Sequence, residues 1–339
     1  MSFAQFLISA AIVVIAGTYL ARYGDFIARK TGLSGLWIGV VLVAAATSLP
    51  EVVSDISAAV IRVPDLAVGD ILGSGMANML VLAIIGLVYQ RVYRRSSLLR
   101  EVTLAHAATA TLAMLLTALT AIFILVRLNV QVFRVGIDTI MLAVIYLTAM
   151  WTLFRHEQAQ KREKLLAPEL SDVRVRLGEM SLRGATIGFV AGTLAIGVAA
   201  PLLVSSAKTI ALQTGIGMTF MGTLFLGLVT SAPELAVSLS AIRIGAFDLA
   251  VGNLFGSNAF NIFILFLTDI AFRQGSLLGA VSGAHIATAL VLLILMSVGV
   301  IGLVFRAEKQ YFLLVPDSLL LIGIYILGMF LLFRISVAG

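Results

Sequence analysis

The sequence predicts an all-α membrane protein of ten transmembrane helices, arranged as two five-helix repeats of inverted topology. Three observations predict it: the composition, the spacing of the apolar runs and an internal repeat. Of 339 residues, 60% are hydrophobic and 12% charged, where soluble domains carry roughly 25% charged residues. The mean hydropathy is +1.09. A soluble core could not absorb that much apolar surface without exposing aggregating patches, whereas a bilayer accepts it as a lipid-facing exterior. The formal charge of +6 is too small and too scattered for a nucleic-acid surface. The chain has no Cys, which excludes disulfides, thiolate zinc sites, iron–sulfur ligation and c-type haem attachment. Its three His, His106, His156 and His285, offer little to a His-built metal site.

Apolar runs of about 20 residues, enough to cross roughly 30 Å of hydrocarbon, centre on residues 3–21, 35–60, 66–89, 101–126, 129–154, 184–206, 218–244, 249–271, 280–305 and 312–335. The first run lacks a basic leader and a small-residue cleavage site, so it reads as a span and not as a removed signal. Residues 1–154 form the first five-helix repeat, 155–183 a cytoplasmic linker and 184–339 the second repeat. Seventeen of the 23 Lys and Arg residues fall in the odd-numbered connections and six elsewhere. Because basic residues are retained on the cytoplasmic side, this asymmetry places both termini outside.

Sliding the chain against itself by 183 residues aligns Thr47-Ser48-Leu49-Pro50-Glu51 with Thr230-Ser231-Ala232-Pro233-Glu234. Asp65-Leu66-Ala67-Val68-Gly69 then falls on Asp248-Leu249-Ala250-Val251-Gly252, Gly73-Ser74 on Gly256-Ser257 and Asn78 on Asn261. Fifteen of the 32 ungapped positions over 47–78 are identical. Chance apolar similarity would not select the polar positions. At an offset of 179, His106 matches His285, Asp138 matches Asp317 and Tyr146 matches Tyr325. The repeat therefore covers five spans per half, and an odd number of spans reverses the threading of the second half. That is the plan of secondary transporters, whose substrate sits near the midplane between halves.

Glu51 and Glu234 lie inside spans, where an ionisable group costs at least ~2.5 kcal/mol and needs a partner or a water-lined cavity. Each follows a proline, Pro50 or Pro233, whose ring frees backbone carbonyls about a turn earlier. Carboxylate, freed carbonyls and the hydroxyls of Thr47, Ser48, Thr230 and Ser231 make an all-oxygen environment. In the next span of each half, Asp70, Ser74 and Asn78 recur at i, i+4 and i+8, as do Asn253, Ser257 and Asn261, which places each set on one helix face. Calcium takes six to eight oxygens at about 2.3–2.6 Å, and two carboxylates would neutralise it. Sodium could use the same groups. Carboxylates left uncompensated in a low-dielectric region penalise switching of the empty protein, which gives exchange a physical basis.

These paired segments, each followed at the same interval by Gly-Ser and then Asn, resemble the two alpha-repeats of the calcium/cation antiporter superfamily, the sodium/calcium exchanger family in particular. The resemblance spans essentially all ten predicted helices. It implies a central site shared by helices two, three, seven and eight, calcium bound by Glu51 and Glu234 with carbonyl help from Thr47 and Thr230, and sodium sites built from Ser48, Ser231, Ser74, Ser257 and Asn78. Asn261 stands where many members carry Asp.

Other readings attach to the same residues. Single Ser and Thr side chains commonly bond the i−4 carbonyl or glue helices together. Asp70 reads equally as a further ligand or as a helix-start carboxylate. His106 and His285 begin symmetric spans and read as interfacial or packing residues, with pH sensing as the second reading, and Asp138 and Asp317 as caps or interface anchors. The expected function is exchange of Ca2+ against Na+ by an integral protein of a prokaryotic cytoplasmic membrane. A Ca2+/H+ antiporter is the alternative, and a passive cation channel using the same oxygens a third reading. No cofactor is expected. No Ser/His or paired His arrangement at the repeats supports an intramembrane enzyme.

Overall fold

The computed structural model describes residues 2–30, 46–93, 97–164, 181–305 and 316–338. Seven of its helices are long and apolar enough to cross a membrane, and a bent pair makes an eighth. The first half holds α1 (Ser2–Lys30), α2 (Leu49–Val60), α3 (Pro64–Tyr93), α4 (Ala105–Val126) and α5 (Ile137–Lys164), of which α1, α3 and α4 are among the seven. The second half holds α6 (Leu182–Thr214), the bent pair α7 (Met218–Thr230) and α8 (Ala232–Arg243), α9 (Phe247–Ala271), α10 (Ala284–Phe305) and α11 (Pro316–Ala338). At about 1.5 Å per residue, the 30 residues of α3 reach roughly 45 Å, enough for a tilted span.

Two helices form the interior. The most apolar stretches of α3 and α9 are buried over 78% and 72% of their length, against 33% for α1, 28% for α6 and 33% for α11. A helix apolar on every side belongs in a protein core, whereas one with a wide exposed apolar face belongs against lipid. Exposed large side chains such as Leu7, Ile15, Leu194, Val198, Ile326 and Phe330 lie on the peripheral helices, as a lipid-facing surface requires. The antiparallel partners α1 and α6 make the most extensive helix contact, α2 packs on α6, and α9 lies against α3, α4, α5 and α8.

Where α3 crosses α7, backbone meets backbone. A Cβ built on Gly73 would lie 2.6 Å from Thr223 Cα, one on Gly222 2.6 Å from the Leu66 carbonyl oxygen, and one on Gly227 2.6 Å from the Gly73 carbonyl carbon. Small residues permit such an approach between membrane helices. Within α7, Met221–Leu226 is a π-helical stretch, a feature that recurs at functional sites.

Two His–Asp contacts tie the halves together. His106 Nε2 of α4 lies 2.9 Å from Asp248 Oδ1, which also accepts from the Thr103 N–H at 2.8 Å. His285 Nε2 of α10 lies 3.1 Å from Asp65 Oδ1, which also accepts from the Ser282 N–H at 2.7 Å. Asp138 accepts from the Thr139 N–H and from Ser276 Oγ, both at 2.8 Å. Asp317 accepts from Ser97 Oγ at 3.4 Å. Each of the four side chains thus makes a contact between the two halves, as a packing or anchoring residue would.

Several boundaries differ from the apolar runs. The fifth run was expected from residue 129, but Gln131–Val132 and Val135–Gly136 form a small antiparallel hairpin before α5 begins at Ile137. Phe133 and Arg134 at its tip have φ of 51° and 69°, the backbone a two-residue hairpin turn demands. Helix α5 also runs into the expected linker as far as Lys164, and α6 extends to Thr214. The rest of the linker, 165–180, and the start of the second expected span, up to residue 45, lie outside the described residues.

Candidate functional site

Both repeated TS-x-PE segments are helix starts within the bundle. Pro50 and Pro233 stand in the first turns of α2 and α8, and Ser48 and Ser231 cap them in non-helical backbone conformations. A proline is tolerated there because its missing N–H would find no helical partner. The same ring denies the Val229 carbonyl its i+4 donor, and α7 and α8 meet at 41°. Gly17 of α1 passes over both prolines: a Cβ there would be 2.6 Å from Pro233 Cγ and 3.2 Å from Pro50 Cγ.

Glu51 and Glu234, first-turn residues of α2 and α8, are fully buried. Glu234 Oε1 accepts from Ser48 Oγ at 3.4 Å and from Ser257 Oγ at 3.3 Å, and Thr47 also reaches this carboxyl group. One residue of each repeat thus serves the same oxygen. Neither Glu51 oxygen has a donor among the described residues, and Glu51 lies within electrostatic range of Glu234, Asp70 and Asp55.

The remaining expected residues fall around this pair. Thr230 Oγ1 lies 2.8 Å from Asp70 Oδ1 and 3.0 Å from the Leu226 carbonyl oxygen, with one hydrogen to donate between them, and 3.0 Å from Ser74 Oγ. Ser74 reaches the same Asp70 oxygen at 3.3 Å, and Ser231 Oγ donates to the Ser74 carbonyl at 3.4 Å. Asn78 Nδ2 donates to Asn258 Oδ1 at 2.9 Å, crossing between α3 and α9. Asn261 is buried, but its side-chain atoms have no hydrogen-bond partner among the described residues. Asp70 sits in the second turn of α3, and the first-turn carboxylate is Asp65, so the helix-start alternative for Asp70 is set aside.

Sequence reasoning passed over Asp55 and Ser238, two buried residues at aligned positions of the repeat. Asp55 follows Glu51 by four residues and so shares its helix face, a signal that was available. Ser238 Oγ donates to the Ala250 carbonyl at 3.2 Å and accepts from Asn253 Nδ2 at 3.4 Å. Among the described residues no group of three His, Asp or Glu side chains is placed to hold a metal ion. The oxygen set around Glu51 and Glu234 is instead two carboxylates with hydroxyls and amides.

Residues 1–154 and 184–334 match the family model described as "Sodium/calcium exchanger protein". The chain belongs to this family. It is 31% identical over 264 residues to the inner membrane protein YrbG of Escherichia coli, covering 77% of each chain. Over 336 residues it is 26% identical to the sodium/calcium exchanger MaX1 of Methanosarcina acetivorans, covering 88% of this chain and 92% of that one. The fold is that of a solved structure of an H+/Ca2+ exchanger, CAX, with a TM-score of 0.71 and 13% identity over 99% of this chain and 86% of that one. As a member of this exchanger family, the chain is an integral membrane protein.

Proposed function

We propose that this family member is a secondary active antiporter, exchanging Ca2+ against Na+ across a prokaryotic cytoplasmic membrane by alternating access. Its ten spans form two inverted five-helix repeats with both termini outside. Calcium is held between Glu51 and Glu234, with the Thr47 and Thr230 carbonyls, while Ser48, Ser231, Ser74, Ser257, Asn78 and Asn261 offer oxygens for sodium and for the shell around calcium, and Asp70 is a further ion ligand. The observation carrying this reading is that two fully buried carboxylates in the first turns of α2 and α8 lie within electrostatic range of each other, with Ser48 of one repeat donating to Glu234 of the other at 3.4 Å.

The physical logic is charge compensation. A dehydrated divalent cation needs oxygen ligands and negative charge, and the two carboxylates supply both. Without a cation they are like charges in a low-dielectric interior, an expensive arrangement for a protein that must rearrange around them. Either calcium or sodium relieves that cost, so loaded forms switch and the empty form does not. Coupling follows because both ions need the same two acids.

Purified protein in liposomes tests this. An imposed sodium gradient is expected to drive calcium movement in the opposite direction at fixed pH. Movement driven solely by a pH gradient would assign the counter-ion to protons. Dissipation of a calcium gradient with no counter-ion would replace exchange by passive conduction.

A further inference from the structure

Beyond the central pair, the first half buries two more acids. Asp55 of α2 and Asp70 of α3 are both 0% exposed, and their carboxyl groups lie within hydrogen-bonding reach of each other. Asp70 is held by one oxygen only, Oδ1, which accepts from Thr230 Oγ1 and Ser74 Oγ. Its Oδ2 and both oxygens of Asp55 have no donor among the described residues. Three buried carboxylate oxygens therefore receive no N–H or hydroxyl donor among the described residues, and the two acids interact with each other.

The fold does not require this arrangement. At the aligned positions of the second half stand Ser238 and Asn253, a neutral pair joined by a 3.4 Å hydrogen bond. The same helix crossing can thus be packed without charge. Two carboxylates 4 Å apart repel by about 4 kcal/mol even at an effective dielectric constant of 20, and burial adds the loss of their hydration. Replacing an amide and a hydroxyl by two acids is intelligible when something positive binds between them.

We propose that Asp55 and Asp70 form a second station for a hard divalent cation, distinct from the central pair. Their four carboxylate oxygens, with the hydroxyls of Thr230 and Ser74 beside Asp70, offer up to six oxygens, within the range a calcium-class ion takes. The double negative charge matches a divalent ion. Asp55 is one helical turn beyond Glu51, roughly 6 Å along α2, toward the connection between α2 and α3. The second half has no acidic counterpart, so the ion path is charged on one side of the centre and neutral on the other. This extends, and rests on, the exchanger reading of the central site.

Calcium binding stoichiometry tests the station. Equilibrium dialysis of the purified full chain against radioactive calcium is expected to give two equivalents for the wild type. An Asp55→Ser/Asp70→Asn double variant, which installs the pair that the second half already packs, is expected to retain one. A Glu51→Gln/Glu234→Gln variant is expected also to retain one, while losing calcium flux in liposomes. The single variants Asp55→Asn and Asp70→Asn, closest in shape to the native residues, are expected to lose the same equivalent and guard against misfolding of the double variant. A wild type binding one equivalent, unaltered by changes at Asp55 and Asp70 and abolished by those at Glu51 and Glu234, overturns the second station and leaves the exchanger reading intact. Two equivalents with the expected variant pattern, but no ion-coupled flux in the wild type, would uphold the station and overturn the exchanger reading.

Discussion

His285, fully buried at the start of α10, lies 3.1 Å from Asp65 at the start of α3, so a residue of the second half holds the opening turn of the first half's central helix. Its repeat mate His106 does the same for Asp248 of α9 at 2.9 Å, in a more exposed setting. Removing a buried partner leaves a polar group unsatisfied, typically costing about 1–3 kcal/mol, whereas exposed pairs are screened. His285→Ala is therefore expected to lower the unfolding temperature in detergent more than His106→Ala does. Equal losses would contradict the asymmetry of burial.

Glu234→Gln is expected to fold normally, because an amide oxygen can still accept from Ser48 and Ser257. Calcium affinity should nonetheless fall at least about tenfold, equivalent to roughly 1.4 kcal/mol, because the ion loses half of its central charge compensation. Glu51→Gln should be as damaging. Calcium titration of the two variants checks both, and undiminished affinity in either would remove that carboxylate from the site.

The polar pattern of the site was legible because a sequence repeat duplicates it. Thr47, Ser48, Glu51 and Ser74 were recoverable from their copies Thr230, Ser231, Glu234 and Ser257, and all eight converge in space. What the repeat could not reveal is what the two halves do not share. Asp55 faces Ser238 in the alignment and so had no copy to draw attention to it. The hairpin before α5 was hidden for another reason: Val130, Val132, Phe133 and Val135 read as apolar membrane sequence, while the turn depends on positive φ at Phe133 and Arg134, which no glycine announces. The π-helical stretch Met221–Leu226 within the expected run 218–244 was hidden too, since nothing in its composition distinguishes it from ordinary helix.

Gly73→Ala and Gly227→Ala are expected to destabilise the protein by about 1–3 kcal/mol or more, the usual cost of overpacking, because the added methyl meets backbone that cannot turn aside. Gly197→Ala and Gly323→Ala, where nothing lies within 4 Å, should be neutral or slightly stabilising, since alanine favours helix over glycine. Thermal unfolding of all four variants in one detergent separates the classes.

Asp269, at the end of α9, collects the Gly136 N–H at 2.7 Å, the Thr139 hydroxyl at 2.6 Å and the Leu277 N–H at 2.9 Å. Asp269→Ala strands these donors and is expected to cost at least about 1.5–3 kcal/mol of stability, the worth of a single hydrogen bond to a charged group. Calcium affinity of the surviving folded protein should be unchanged, because this residue fastens the hairpin and not the ion site. An affinity loss matching that of Glu234→Gln would contradict the separation.

The glycine seam between α3 and α7 has a mechanical consequence. Helices ordinarily lock through ridges of side chains seated in grooves, and lateral slip must lift each ridge over the next. Bare backbone presents no such teeth. Rigid-body movement of one half over the other would meet least resistance along this line, with the histidine ties at the bundle ends acting as its stops.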